Sequence, residues 1–270
     1  MAILISTSMY HSGNFKNILH FADKYKGKVG VEIFPRFDEP EFEKVLKECI
    51  PGLKKVPISI HEPSFEIEHT ADTNSSEHKK TIHRLSSMIK YASVLGCRYI
   101  VYHHNNCTIP ENKREEYLKT AQDNLYEVTQ LLLPYGISVA IENTGIAAKN
   151  TMLLNEKEFI EMCRESVCGV VIDLGHINTN GWNMKNVISS LKDKIISYHV
   201  HNNYGKDDEH NRIFDGTLDF NEFVRYYKKF TPGADIVIEY SEKLADKEDE
   251  ICEDIDYIIE AVKGSKKALA

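Results

Sequence analysis

A chain of 270 residues, 42% of them hydrophobic and 27% charged, has the length to bury a large core without disulfides or a structural metal. Its net charge of −8 argues against a protein that coats a polyanion, and less strongly against one that meets a polyanion only at a metal-charged cleft. The opening MAILISTSMYHSG lacks the basic start and apolar run of a secretory leader, and no stretch approaches the roughly 18 apolar residues of a membrane span, so a cytoplasmic protein is expected.

Short runs rich in Val and Ile predict strands at 2–6 (AILIS), 28–34 (KVGVEIF), 56–61 (VPISIH) and 98–103 (RYIVYH). Four more follow at 137–142 (ISVAIE), 169–174 (GVVIDL), 196–201 (ISYHVH) and 235–240 (DIVIEY). The segments between them carry helical spacing. The clearest is 78–96, where Ile82, Leu85, Met88, Ile89, Ala92 and Leu95 recur at three- and four-residue steps before Gly96, a natural C-cap. Further helices are predicted over 14–25, 39–49, 114–136, 155–165, 183–194, 219–230 and 248–264. Eight apolar strands alternating with eight helices indicate a parallel sheet buried on both faces. The expected fold is α/β, a single (β/α)8 TIM barrel over 1–264 with a frayed tail at 265–270; a doubly wound open sheet is the runner-up. The six cysteines (Cys49, Cys97, Cys107, Cys163, Cys168 and Cys252) form no CxxC pair and read as reduced thiols.

In such a barrel the C-terminal strand ends share one mouth. Read in order, those ends carry Glu32, His61-Glu62, His103-His104, Glu142-Asn143, Asp173 with His176 in the following loop, His199 and His201, and Glu239. The loop after the seventh strand adds Asp208 and His210. Imidazoles and carboxylates crowded into one cavity need a cation to offset the carboxylate charge. The mixed nitrogen and oxygen set suits Zn2+, Mn2+, Fe2+ or Co2+ better than Ca2+. Asp173 is therefore read as a ligand and not a turn residue, together with Glu142, His201 and Glu239. His61, His103, His176, Asp208 and His210 are candidates for further metal ligands or for groups that hold substrate. His199, one layer deeper on the face of His201, is read as a hydrogen-bonding support.

The motifs GVEIF, SIHEPSF, YIVYHH, VAIENTG, VIDLGH, HVHNN, GKDDEH and VIEY, in this order along nearly the whole chain, resemble the xylose isomerase-like barrel superfamily. That superfamily includes sugar phosphate isomerase/epimerase-like proteins, inosose dehydratases and endonuclease IV. Its epimerase branch implies one divalent metal on Glu142, Asp173, His201 and Glu239, and a small-molecule sugar, ketose or polyol chelating it. The metal would polarise a carbonyl and stabilise the enediolate while Glu142 and Glu239 act as acid and base. His176, His61 and His103 would hold the substrate, Glu32 and Trp182 would line the pocket, and Arg212 is the visible candidate for gripping a phosphate. The endonuclease IV branch implies up to three zinc ions on His61, His103, Glu142, Asp173, His176, His201, Asp208, His210 and Glu239, with hydrolysis of DNA beside an abasic site. Against nucleic acid as partner, the loops after the first three strands carry few Arg or Lys. A non-catalytic sugar-binding barrel would be expected to lose an acid, and none is lost.

Two departures from the family pattern stand out. After His210 the chain reads NRIFDGTLDF in place of a Gly-rich turn, and Asn202-Asn203 stands where an acidic residue is common. Both are expected beside the pocket, which points to a substrate outside the usual set. RYYKKF (225–230) and an exposed Trp182 are candidates for a homodimer face.

Overall fold

The computed structural model describes residues 1–263; Gly264 and the tail expected at 265–270 lie outside the described residues. Its strands are β1 (Ile3–Ser6), β2 (Val29–Ile33), β3 (Ile58–His61), β4 (Tyr99–Tyr102), β5 (Ser138–Glu142), β6 (Gly169–Asp173), β7 (Ile195–Val200) and β8 (Asp235–Ile238). Each pairs in parallel with the next, and β8 closes on β1. The (β/α)8 barrel is thus observed, and the open-sheet alternative is excluded. No helix among the described residues is long and apolar enough to cross a membrane.

The helices are α1 (Ile18–Lys24), α2 (Phe42–Leu53), α3 (Ser76–Leu95), α4 (Arg114–Leu132), α5 (Glu156–Glu165), α6 (Leu174–Asn180), α7 (Met184–Ser190), α8 (Phe220–Phe230) and α9 (Glu248–Lys263). Eight were expected, and α6 is the addition. Seven residues show little apolar periodicity, so its start is fixed by a cap: the Asp173 carboxylate accepts the His176 N–H at 2.6 Å. Gly181, at φ 63°, ends it. The reading of Asp173 as a ligand and not a turn residue is corrected in part, because one carboxylate oxygen caps α6 while the other faces the mouth.

Two apolar layers hold the barrel. Outside, strand residues pack on the helices, as Tyr198 of β7 does against Phe223 and Tyr227 of α8. Inside, Tyr99, Val101, Ala140 and Val171 fill the lower barrel. Above them the inward residues turn polar, with Ser59, Ser197, Glu32 and His199 all buried. This change marks where packing gives way to a site. The RYYKKF segment does not form a surface aromatic patch: Tyr227 is fully buried, and Phe230 and Trp182 are half-buried against the core.

Candidate active site

His199 lies at the centre of the mouth. Its Nδ1 is 3.3 Å from Glu142 Oε1, 3.2 Å from Glu239 Oε2 and 3.9 Å from Asp173 Oδ2. The sequence assigned this place to His201 and put His199 underneath. The correction has a structural cause. Asp173, the last residue of β6, pairs with His199 of β7, whereas His201 lies just beyond the end of that strand. His201 sits beyond, its Nε2 2.9 Å from Asp173 Oδ2 and its ring stacked on His210 at 3.8 Å. A Cβ on Gly175 would come within 1.9 Å of the His201 ring, so only glycine lets α6 approach so closely.

Two further clusters flank this centre. His61 and His103 point their Nε2 atoms at Glu142 Oε2, at 3.4 and 3.0 Å. On the other side Asp208 Oδ2 meets His176 Nε2 at 3.2 Å and His210 Nε2 at 2.9 Å. His210 adopts φ 49°, a left-handed conformation that turns its ring back over the mouth. Glu142 therefore bridges the first cluster to the centre, and His176, with Nδ1 3.7 Å from Glu142 Oε1, bridges the centre to the third.

The residues fit a divalent metal on their own geometry. Nδ1 of His199 and Nδ1 of His176 are buried and make no hydrogen bond, although carboxylate oxygens surround both. Glu142, Asp173 and His199 each offer a ligand atom within 4.8 Å of the others, close enough to share one ion. His61 and His210 each give Nδ1–H to a backbone carbonyl, of Glu62 at 2.8 Å and of Glu239 at 2.9 Å, and keep Nε2 for the site. That is the tautomer a metal ligand needs. His103 reaches the same state through a relay: Nδ1 donates to Asn106 Oδ1 at 2.8 Å, and Asn106 Nδ2 donates to Glu62 Oε1 at 2.9 Å. Glu62 is fully buried and holds His69 Nε2 at 2.8 Å. Nothing in the sequence beyond the dipeptide His61-Glu62 hinted at this support.

Without a cation, protons balance the charge. Burial opposes protonation of His61, but Glu142 outweighs it and lifts the imidazole to about 9. Burial works against His210 too, and Asp208 lifts it to about 9. His176 and His199 rise well above the ordinary range against the same burial, the first through Asp173 and Asp208, the second through Glu142 and Glu32. Burial alone would raise the carboxylates, yet Glu142 is held well below its usual range by His199 and His103. Asp208 is held down in the same way by His176 and His210.

Three expected pocket residues lie elsewhere. Glu32 is fully buried under the mouth, accepts from Ser59 Oγ at 2.8 Å and lies 3.0 Å from His199 Nε2, an ion-pair contact beneath the imidazole and not a place in the pocket wall. Arg212 is spent on α9, with Nε on Asp254 and Nη1 on Glu250, each at 2.9 Å, and grips no ligand in the mouth. Trp182 packs on Phe159 and lines a separate groove near α7 and α8. Asn202 and Asn203 are also structural. Asn202 Nδ2 donates to Ile213 O and Leu218 O, and Asn203 Nδ2 to Gly175 O, which fastens the 211–218 loop and α6 to β7. Gly216 is required there because a Cβ would come within 2.2 Å of Asn202 Oδ1. What does line the cavity, of about 360 Å3, is His61, His103, Glu142, His176, Asp208, His210 and Glu239, with Phe34, Phe65 and Ile146 as apolar walls. Its lining includes no Arg or Lys.

Comparison with known proteins agrees with the fold. Uncharacterized protein MJ1311 of Methanocaldococcus jannaschii is 28% identical over 198 residues, 70% of this chain and 65% of that protein. Inosose isomerase of Bacillus subtilis is 26% identical over 129 residues, 46% of this chain and 44% of its own. The chain thus spans under two thirds of either relative. Among solved structures, a D-tagatose 3-epimerase-like protein superimposes with a TM-score of 0.76 at 24% identity, covering 97% of this chain and 100% of that one. The IolI protein with a bound zinc atom gives 0.76 at 19% identity, covering 99% and 100%. The family model described as xylose isomerase-like TIM barrel matches residues 15–261, and the chain belongs to that family.

Proposed function

We propose that the protein is a divalent-metal-dependent isomerase or epimerase of a small sugar or cyclic polyol. The observation that carries this reading is the pair Glu142 and Glu239. Their carboxylates come from the ends of β5 and β8, meet the same His199 Nδ1 at 3.3 and 3.2 Å, and line one cavity of about 360 Å3 that includes no Arg or Lys. Glu142, Asp173, His199 and Glu239 would hold the ion, which when bound supplies polarisation of a substrate carbonyl. A substrate carbon seated between the two glutamates presents one face to each. One carboxylate removes the proton from that carbon and the other returns a proton, to the opposite face for an epimerase or to the neighbouring carbon for an isomerase. His176, beside both Glu142 and Asp208, holds a substrate oxygen. The buried Phe34 gives the cavity an apolar wall that limits water on that side. The inosose isomerase and epimerase-like relatives, and the zinc of the IolI structure, support the reaction class and the cofactor.

The test is solvent exchange. Ketoses and inososes incubated with metal-loaded protein in deuterated water are expected to gain deuterium at the carbon next to the carbonyl, and Glu142→Gln and Glu239→Gln to abolish it. A well-folded, metal-loaded protein inert to the whole panel would count against the reading. A second reading has its own observation: donor groups on His61, His103 and Glu142, on Glu142, Asp173 and His199, and on His201, His210 and Glu239, with Asp208 reaching His176 and His210 beside the last. That arrangement fits up to three zinc ions and phosphodiester hydrolysis at an abasic site. Elemental analysis separates the two readings, since about one ion per chain supports the first and two to three zinc ions, with cleavage of abasic-site DNA, support the second.

A further inference from the structure

We propose that the substrate is a neutral glycoside, a reacting sugar joined to a second ring, and that the second ring occupies a depression beside the metal-ligand clusters. This deepens the sugar reading above and rests on it. Two cavities meet at the mouth. The one that contains Glu142 has a volume of about 360 Å3; its neighbour has about 400 Å3 and shares Phe34, Phe65, Asp208, His210 and Glu239 with it. A ligand seated at Glu239 reaches both without crossing a wall. Each cavity alone lies near the bottom of the range of about 300–1,000 Å3 typical of small-molecule sites, so a single ring leaves one of them empty.

The lining of the second cavity selects the chemistry. Phe65 is 76% exposed and stands at the junction, its ring 5.3 Å from that of Phe34. It buries little of its surface in the folded chain and offers a flat apolar plate to a ligand, which suits the C–H face of a sugar ring. Across from it Ser241 Oγ has no hydrogen-bond partner, and a turn of its side chain toward the cavity would let a ligand hydroxyl satisfy it. Charge then narrows the class. Asp208, Glu209, Glu239 and Glu242 face Arg36 and Lys243. Arg36 is already committed: Nη2 donates to Ser8 O at 2.7 Å and Nε to Tyr10 O at 3.0 Å, with the guanidinium over both phenylalanine rings. The four carboxylates still outnumber Arg36, Lys243 and the His210 imidazolium, so a phosphate would meet a net negative lining and no free guanidinium. An uncharged second sugar meets a stacking plate, a waiting hydroxyl and mixed donors and acceptors.

The test titrates the full-length, manganese-supplemented protein with D-glucose, D-fructose and D-galactose, with cellobiose, sucrose and lactose, and with glucose 6-phosphate, by ligand-observed NMR. At least one disaccharide is expected to bind about tenfold more tightly than its component sugars, and glucose 6-phosphate no more tightly than glucose. In Phe65→Ala, whose exposed side chain supports no core packing, the ratio of disaccharide to monosaccharide affinity should fall to about twofold or less. Monosaccharides that match every disaccharide, a phosphate ester that binds tightest, or a disaccharide preference that survives Phe65→Ala each overturn the proposal. Failure of the sugar reading itself looks different: no sugar of either size binds, and the subsite falls with it.

Discussion

His199 and His201, two residues apart at the end of β7, are expected to behave differently when replaced. Loss of the His199 ring takes a donor from the midst of Glu142, Asp173 and Glu239, so His199→Ala should lose tightly held metal; His201→Ala, removing a ring at the edge of the set, should retain more than half as much. Elemental analysis of the two variants decides, and equal loss would contradict the centring on His199. The imidazoles also set a pH dependence. In the metal-free protein His61 and His210 have pKa values raised to about 9, from an unfolded value of about 6.5. A raised pKa contributes stability that is complete below the unfolded value and is lost as pH rises through the folded one. The Tm of the metal-free protein should therefore fall between about pH 6.5 and 9, and metal binding near pH 7 should release protons to the buffer. Calorimetry in buffers of different ionisation enthalpy checks the release. At this scale the sequence was a good guide to which residue types converge, because histidines and acids ending apolar runs are conspicuous. It was a poor guide to which histidine is central, because His199 and His201 alternate onto the same face and the sequence does not show which of them pairs with Asp173.

Among the elements, the strands were legible because their Val and Ile runs are buried on both faces, and α6 was not, because seven residues held by one aspartate cap lack a periodic face. Yet α6 carries His176 and is seated by Gly175, whose missing Cβ is what leaves room for His201. Gly175→Ala places a methyl group 1.9 Å from that ring, where neither backbone nor imidazole can yield cheaply. It is expected to cost about 1–3 kcal/mol and to displace the third cluster. Denaturant unfolding measures the first effect, and the NMR signals of His201 and His210 report the second. A variant with wild-type stability and unmoved imidazole signals would mean that the close approach of α6 is not rigid. Asn202 and Asn203 teach a related lesson. As a departure from the family pattern they looked like a change of substrate; in place they are amides that fasten a loop and α6 to β7.

The whole barrel separates chemistry from closure along its axis. The ligands converge at the top from β3 through β8, whereas the seam between β8 and β1 is tied at the bottom. There Asp235 accepts the Ala2 N–H at 2.6 Å and an Arg98 guanidinium N–H at 3.1 Å, with the N-terminal ammonium 3.8 Å away. Asp235 is 5% exposed, so its Ala variant leaves the half-buried Ala2 N–H without its partner and loosens the point where first and last strands meet. Asp235→Ala is expected to lose about 1–3 kcal/mol of stability while keeping the metal content of the wild type, because no ligand lies near that end. His199→Ala should do the reverse, losing metal, and with it the stabilisation that metal binding adds, about 2.7 kcal/mol when free metal is a hundred times its dissociation constant. The metal-free Tm values of the wild type and His199→Ala should accordingly lie much closer together than their metal-loaded values. Loss of metal by Asp235→Ala at full folding would show that the two ends are coupled through the strands, and the division of labour along the axis would have to be abandoned.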